Sequence, residues 1–222
     1  CRDWSSDVCS SDLLSGLDGT IRTVARRVSY DRNDASLFFG GETVRQRKLM
    51  GIDFVVEAGE LANLAFAEGS IDAMLGSGGQ DGILVSQSAA RIMGCRVGDD
   101  VNLYLTTDAG QYNTATVSVR GIFSETSFFG YIAYMRIQDL NRLLLRPEDA
   151  ATALAVYLQS GADPATEAER IRLALSPEFA TYPPLPTRDS IAAALAADPS
   201  GSHLAVFTMD AQLDQIKTIL DA

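Results

Sequence analysis

The amino-acid sequence predicts a mixed α+β protein. Strand-like and helix-like runs interleave along the chain instead of falling into separate blocks. Residues 101–119 contain two stretches of apolar–polar alternation around a polar tip, the pattern of a half-buried antiparallel hairpin. Several helix ends carry explicit punctuation: Ser86 and Asp163-Pro164 at starts, Gly94 and Pro147 at or after ends.

Each element follows from its local pattern. Leu17, Ile21, Val24 and Val28 fall at helical spacing, with Arg22, Arg26 and Arg27 toward the other face, and predict a helix over residues 16–29. Ala35 to Phe39 is a short apolar strand stopped by Gly40-Gly41. Residues 43–56 are mostly extended, residues 57–66 form a short helix, and residues 69–82 form a Gly- and Ser-rich loop. Gly82 to Val85 is a buried strand. Ser86 then caps a helix whose inner face is Ala89, Ile92 and Met93 and which Gly94 ends.

Val97-Gly98-Asp99-Asp100 turns the chain into the hairpin. Val101, Leu103 and Leu105 alternate with polar partners in its first strand, and Ala115, Val117 and Val119 do so in its second, around a tip at residues 108–113. Tyr131 to Met135 is a strand, followed by a helix lined by Ile137, Leu140 and Leu144. A strand over residues 151–158 leads to a helix that Asp163 caps and Pro164 opens, with Ala168, Ile171 and Leu175 inward. Pro183, Pro184 and Pro186 make residues 179–185 an edge strand or connector. Residues 190–197 form an Ala-rich helix. The last helix runs from about Ala205, with Met209, Leu213, Ile216 and Leu220 on one stripe.

Composition narrows the function classes. The chain has 222 residues, 46% hydrophobic and 21% charged, which is globular in balance. Its net charge of −11 repels phosphate backbones and anionic headgroups, so nucleic acid is excluded as a partner. The longest stretch free of charged residues, 150–162, is shorter than the ~18–20 residues that span a bilayer. Residues 1–13 stand apart, with no apolar periodicity; Asp3 to Leu13 resembles one reading frame of a translated sequencing-library adapter. Setting them aside leaves a net charge of −9, Cys95 as the single cysteine, and a segment expected to belong to a longer gene product.

Catalytic sets are scarce. His203 is the sole histidine, and a structural or surface role is its ordinary reading; a Cys95–His203 pair is the one enzyme alternative. One Cys and one His do not make a zinc site, and Asp99-Asp100 lack the ligand pattern of a calcium loop. Gly76-Ser77-Gly78-Gly79 precedes a strand instead of opening a helix, so it is a connector and not a phosphate loop. No cofactor, metal or catalytic residue is therefore expected. Phe128, Phe129 and Tyr131 are candidate partner-contact residues, with the start of a core strand as the alternative.

One run is more specific. It joins Gly82-Ile-Leu-Val-Ser-Gln-Ser-Ala-Ala-Arg-Ile-Met-Gly94, Val97-Gly-Asp-Asp-Val-Asn-Leu-Tyr-Leu105, Val117-Ser-Val-Arg-Gly-Ile-Phe123, Tyr131-Ile-Ala-Tyr-Met135 and Ile137-Gln-Asp-Leu-Asn-Arg-Leu-Leu144. With Met50-Gly51-Ile52-Asp53 upstream, it resembles the MacB-like periplasmic core domain of ABC transporter permeases of the FtsX, LolC/LolE and MacB type. The resemblance covers most of residues 35–145 and, more loosely, 14–222. The Ala-rich stretch 187–202 departs from the pattern.

The resemblance implies a two-subdomain α+β core: a porter-like part (14–65 and 148–222) and an inserted part (66–147). The terminal helices would lead to membrane helices outside this sequence. It further implies a non-enzymatic permease subunit in the cell membrane with this segment on the periplasmic side. The implied partners are a cytoplasmic ABC ATPase, a second permease copy or paralogue, and a periplasmic protein or lipoprotein substrate. Lipoprotein release is the nearest branch. A secreted binding module and a Cys95-dependent enzyme are the competing expectations.

Overall fold

The computed structural model describes residues 19–76, 81–124, 131–198 and 201–213. The chain divides into two compact units. Thr23–Val156 forms the first; residues 19–22 and 157–213 form the described part of the second.

The first unit is built on a mixed sheet. Its strands are β1 (Ile21–Tyr30), β2 (Ser36–Phe39), β3 (Glu42–Arg45), β4 (Lys48–Ile52), β5 (Phe66–Gly69), β6 (Gly82–Ser86), β7 (Asp100–Thr106), β8 (Tyr112–Phe123), β9 (Ile132–Arg136) and β10 (Ala153–Leu158). The division between units falls inside β1 and inside β10. The order across the sheet is β10-β1-β4-β9-β6-β8-β7-β2-β3, with β5 joined to β8. Pairs β4–β9 and β6–β8 are parallel. The pairs β1–β4, β2–β3, β2–β7, β5–β8, β6–β9 and β7–β8 are antiparallel.

The hairpin and the helix ends form as the sequence predicts. Val101, Leu103, Leu105, Val117 and Val119 are buried, and Tyr104 on the alternate face is exposed. Gly40 and Gly41 both take positive φ in the tight turn between β2 and β3, where a β-carbon is disfavoured. The Ser86 hydroxyl accepts from Ala89 N at 3.3 Å and caps helix α2 (Gln87–Met93), which Gly94 ends in the left-handed conformation at φ 73°. Such a cap is worth about 1 kcal/mol. Helix α3 (Ile137–Leu144) buries Ile137, Leu140, Leu143 and Leu144.

Helices α2 and α3 cover one face of the sheet. Their inner residues join Leu37, Leu49, Ile83, Val85, Leu103 and Met135 in the main core. Each large aliphatic side chain buried there contributes roughly 1.5–3 kcal/mol. The opposite face is partly covered by the segment from Phe54 to Met74, which packs on Ile52, Leu84 and Phe123. This segment contains helix α1 (Phe54–Glu57), β5 and a 3-10 turn at Ile71–Met74. The Asp53 carboxylate caps α1 by accepting from Val55 N and Val56 N, both at 3.1 Å. Glu57 is fully buried and accepts from the Arg27 guanidinium.

The second unit holds α4 (Pro164–Leu175), α5 (Arg188–Ala197) and α6 (Met209–Gln212). Asp163 caps α4 as expected, accepting from Thr166 N at 2.8 Å. Thr187 and Ser190 form a capping box at α5. A small core joins Leu185, Ile191, Ala194 and Ala211. The proline-rich connector makes one parallel bridge, Thr181 to Leu204.

Four expectations are corrected. Residues 21–30 form a strand, not part of a helix; Ile21, Thr23, Val24 and Val28 are β-branched, and β1 pairs with β4 over Arg27–Tyr30. Of the rest of that predicted helix, residues 19–20 form a turn and 16–18 lie outside the described residues. The helix expected at 57–66 sits earlier, at Phe54–Glu57, because Asp53 starts it, and 58–65 is turns. Ile92 is 46% exposed, and Ala90 takes its place on the inner face of α2. The final helix begins at Met209 after the Thr208 cap, and Met209 itself is exposed. Its predicted continuation through Ile216 and Leu220 lies outside the described residues, as does the adapter-like stretch 1–13.

Candidate partner-contact site

The candidate contact residues follow β8. Its partners locate that point: Phe123 pairs with Ser86 at the end of β6, and β9 pairs with β4 from Ile132 and Lys48 onward. Phe123 and Ile132, which flank residues 125–130, lie at the end of the sheet where α2 begins. Phe128 and Phe129 lie outside the described residues. Tyr131 is half-buried and packs against the main core, and its carbonyl accepts from Arg47 N at 2.8 Å. Tyr131 thus contributes to the core while part of it stays exposed. Below it, Phe123 and Tyr134 meet edge-to-face with ring centres 5.3 Å apart.

The titratable groups near the hairpin are fixed by ion pairs. Asp108 at the tip accepts from Arg146 Nε at 2.6 Å and Nη2 at 3.0 Å, and pairs with Arg32 at 3.3 Å. The Arg146 guanidinium holds its carboxyl below the ordinary carboxylate value, against a smaller opposing effect of burial. Buried Asp139 pairs with Arg136 at 3.0 Å and Arg142 at 2.9 Å. Those arginines hold the two ends of the Gly-Ser connector: Arg136 donates to the Gly76 carbonyl at 2.6 Å and Arg142 to Asp81 at 2.5 Å. Residues 77–80 lie outside the described residues.

Cys95 does not have the surroundings of an activated thiol. Cys95 is buried in the main core just past the α2 cap. Burial first, and the Asp99 carboxylate second, push its thiol above the usual value, the reverse of an activated nucleophile. Cys95 belongs to the first unit and His203 to the second.

His203 does sit in a cluster that sequence reasoning missed, with Asp198 and Ser202. Its Nδ1 lies 3.0 Å from both the Ser202 hydroxyl and the Asp198 carboxylate. A proton relay needs serine and aspartate on opposite ring nitrogens, so this is a turn stapled by Asp198, which also accepts from His203 N at 2.8 Å. The turn-forming Asp198-Pro199-Ser200-Gly201 was the signal available for it. Asp99 likewise serves the turn before β7, accepting from Arg96 N at 2.8 Å. Among the described residues no group of three or more His, Cys, Asp or Glu side chains could hold a metal ion.

No family model matches the sequence, and no curated protein matches it. Among solved structures, the chain is similar to the periplasmic region of MacB from Actinobacillus actinomycetemcomitans. The sequences are 14% identical, the TM-score is 0.50, and the match covers 75% of this chain and 72% of that one. The fold is that of the MacB periplasmic region. Within this MacB-like fold, the segment resembling the family's core runs from β6 through α3, and the candidate contact residues fall between its β8 and β9. The upstream Met50-Gly51-Ile52-Asp53 is the end of β4 and the cap of α1. Among the described residues no helix is long and apolar enough to cross a membrane.

Proposed function

We propose that this chain is the extracytoplasmic domain of an ABC transporter permease subunit. In that role it transmits motion of the membrane helices, driven by an ATPase on the cytoplasmic side, to a periplasmic substrate or partner protein. The observation that carries the reading is the MacB-like fold, in a chain whose motif order through β6–α2–β7–β8–β9–α3 resembles that family. Supporting it, the titratable clusters described above are ion pairs and turn staples. Lipoprotein release or export is the narrower form of the proposal, with a second permease copy or paralogue completing the transporter. Phe128, Phe129 and Tyr131 are its proposed partner contact.

Reading the source DNA outward from both ends tests the topology. The expected result is an apolar run of ~20 residues on each side and an ATPase gene alongside. A secretion signal immediately upstream with a stop codon near Ala222 would overturn the permease reading in favour of a secreted binding module. Changing Phe128 and Phe129 together to Ser tests the contact. Loss of substrate release with an unchanged thermal midpoint is expected; unfolding of the domain would show that the pair is core.

A further inference from the structure

A line of aromatic rings crosses one face of the sheet, and the strand register places it. Leu37, Leu103 and Val117 belong to the main core, so the residues alternating with them on β2, β7 and β8 take the face opposite α2 and α3. Phe38 on β2 pairs with Asn102 on β7. Tyr104 is one same-face step past Asn102 and pairs with Thr114 on β8. Tyr112 is one same-face step past Thr114 in the same direction, because β7 and β8 are antiparallel. Phe38, Tyr104 and Tyr112 therefore lie on one diagonal across three neighbouring strands. With strands about 4.8 Å apart and same-face steps of about 6.7 Å, successive members are about 8 Å apart and the line is about 16 Å long. Tyr112 is 91% exposed, Tyr104 is 42% exposed, and Phe38 is half-buried.

Uncharged polar side chains border this line on both sides. Asn102 and Thr114 fill one border, Ser36 and Thr106 the other. The Asn102 carbonyl accepts from the Thr116 hydroxyl at 3.1 Å, which leaves its amide nitrogen as a donor. The hydroxyls of Ser36, Thr106 and Thr114 make no hydrogen bond among the described residues. Charged side chains stand further out. Arg45 lies beyond Ser36 and Asp100 beyond Asn102, while Arg120 lies on β8 past the buried Ser118.

We infer that this face binds an extended, uncharged glycan along the Phe38–Tyr104–Tyr112 line. The occupant follows from the chemistry of the line and its borders. Nucleic-acid bases also stack on aromatic rings, but their backbone needs a basic groove, and here the borders are neutral in a chain with 29 acidic and 18 basic residues. A wholly apolar ligand would cover the bordering hydroxyls without satisfying them. A pyranose chain meets both demands: its C–H faces lie against the rings, and its rim of hydroxyls exchanges hydrogen bonds with both borders. The line is longer than one sugar ring, so the ligand is an oligosaccharide or a polysaccharide strand. Tyrosines held on strands present this surface with little side-chain entropy left to lose. The inference is independent of the permease reading.

Isothermal titration calorimetry of the 222-residue chain tests it, with cellohexaose, chitohexaose, maltohexaose and mannohexaose as probes. At least one hexasaccharide is expected to bind, roughly tenfold or more tighter than its own monosaccharide and equally well in low and high salt. Tyr104→Ala and Tyr112→Ala should each weaken that binding roughly three- to tenfold, with the far-ultraviolet circular dichroism of the native chain retained. Tyr112→Phe keeps the ring and should bind within about twofold of the native chain. No binding of any probe at millimolar concentration, affinity that falls steeply with salt, or alanine variants that bind like the native chain would each overturn the inference. So would sedimentation in which the native chain self-associates without sugar and the alanine variants do not, because the face would then be a protein contact.

Discussion

Leu145 ends α3 in the left-handed conformation at φ 61° with two-thirds of its surface exposed. A β-carbon there is strained, and the exposed side chain gains little from packing. Leu145→Gly should therefore stabilise the first unit by about 0.5–1 kcal/mol, read as a higher urea midpoint at unchanged slope. Cys95 makes the opposite case, since burial and its raised thiol value protect it. Iodoacetamide should modify Cys95 slowly in the native protein and rapidly in urea; rapid native labelling would revive the enzyme alternative. At this scale the sequence was informative where a residue type has one dominant local use. Ser86, Gly94 and Asp163 are caps in the structure as in the reading. Ile92 was misplaced because an apolar residue at helical spacing can fall on either side of the boundary of a short helix. Asp198 and Ser202 were missed because their role depends on a turn closing back on His203.

The hairpin and its tip show how an element is held in place. Asp108 joins the tip to Arg146 just past α3 and to Arg32 before β2, while Tyr30 donates to Asp34 and to the Thr106 carbonyl. Because the folded Asp108 value is lowered, its contribution is full above the unfolded value of 3.8 and is lost as pH falls through the lower folded value. Asp108→Asn should cost at most about 1 kcal/mol at neutral pH, given its partial exposure, and that difference should vanish in strong acid. Urea titrations of both proteins across pH would check it. The β5–β8 pair depends on contact at close range: a β-carbon at Gly121 would meet Phe66 at 2.8 Å and Leu84 at 2.9 Å. Gly121→Ala should cost roughly 1–3 kcal/mol in the same assay. The hairpin was legible because its alternation is a period of two bounded by turn residues. β1 was not, because its apolar residues also fit a helical spacing; its β-branched content was the signal to weigh.

For the molecule as a whole, element types were more legible than their arrangement. Motif order along the chain pointed to the MacB-like fold at 14% identity, because short punctuated segments in sequence survive where identity does not. The sheet order could not be read, since neighbours such as β4 and β9, or β2 and β7, are far apart in sequence. Nor could the division into units, which falls inside strands and not at a Gly- or Pro-rich linker. The candidate contact residues were proposed from aromatic content alone, and of the three the structure describes Tyr131.

The parallel β4–β9 pair also sets a timetable. Lys48 finds its partner at Ile132, about eighty residues later. At a synthesis rate of roughly 5–20 residues per second, β4 waits several seconds for β9 to exist. During that interval Leu49 and Ile52, both buried in the finished sheet, are left on a strand with one side unpaired. The newborn chain is then at its most vulnerable to aggregation, and a holdase acting before residue 136 emerges would protect it more than one acting later.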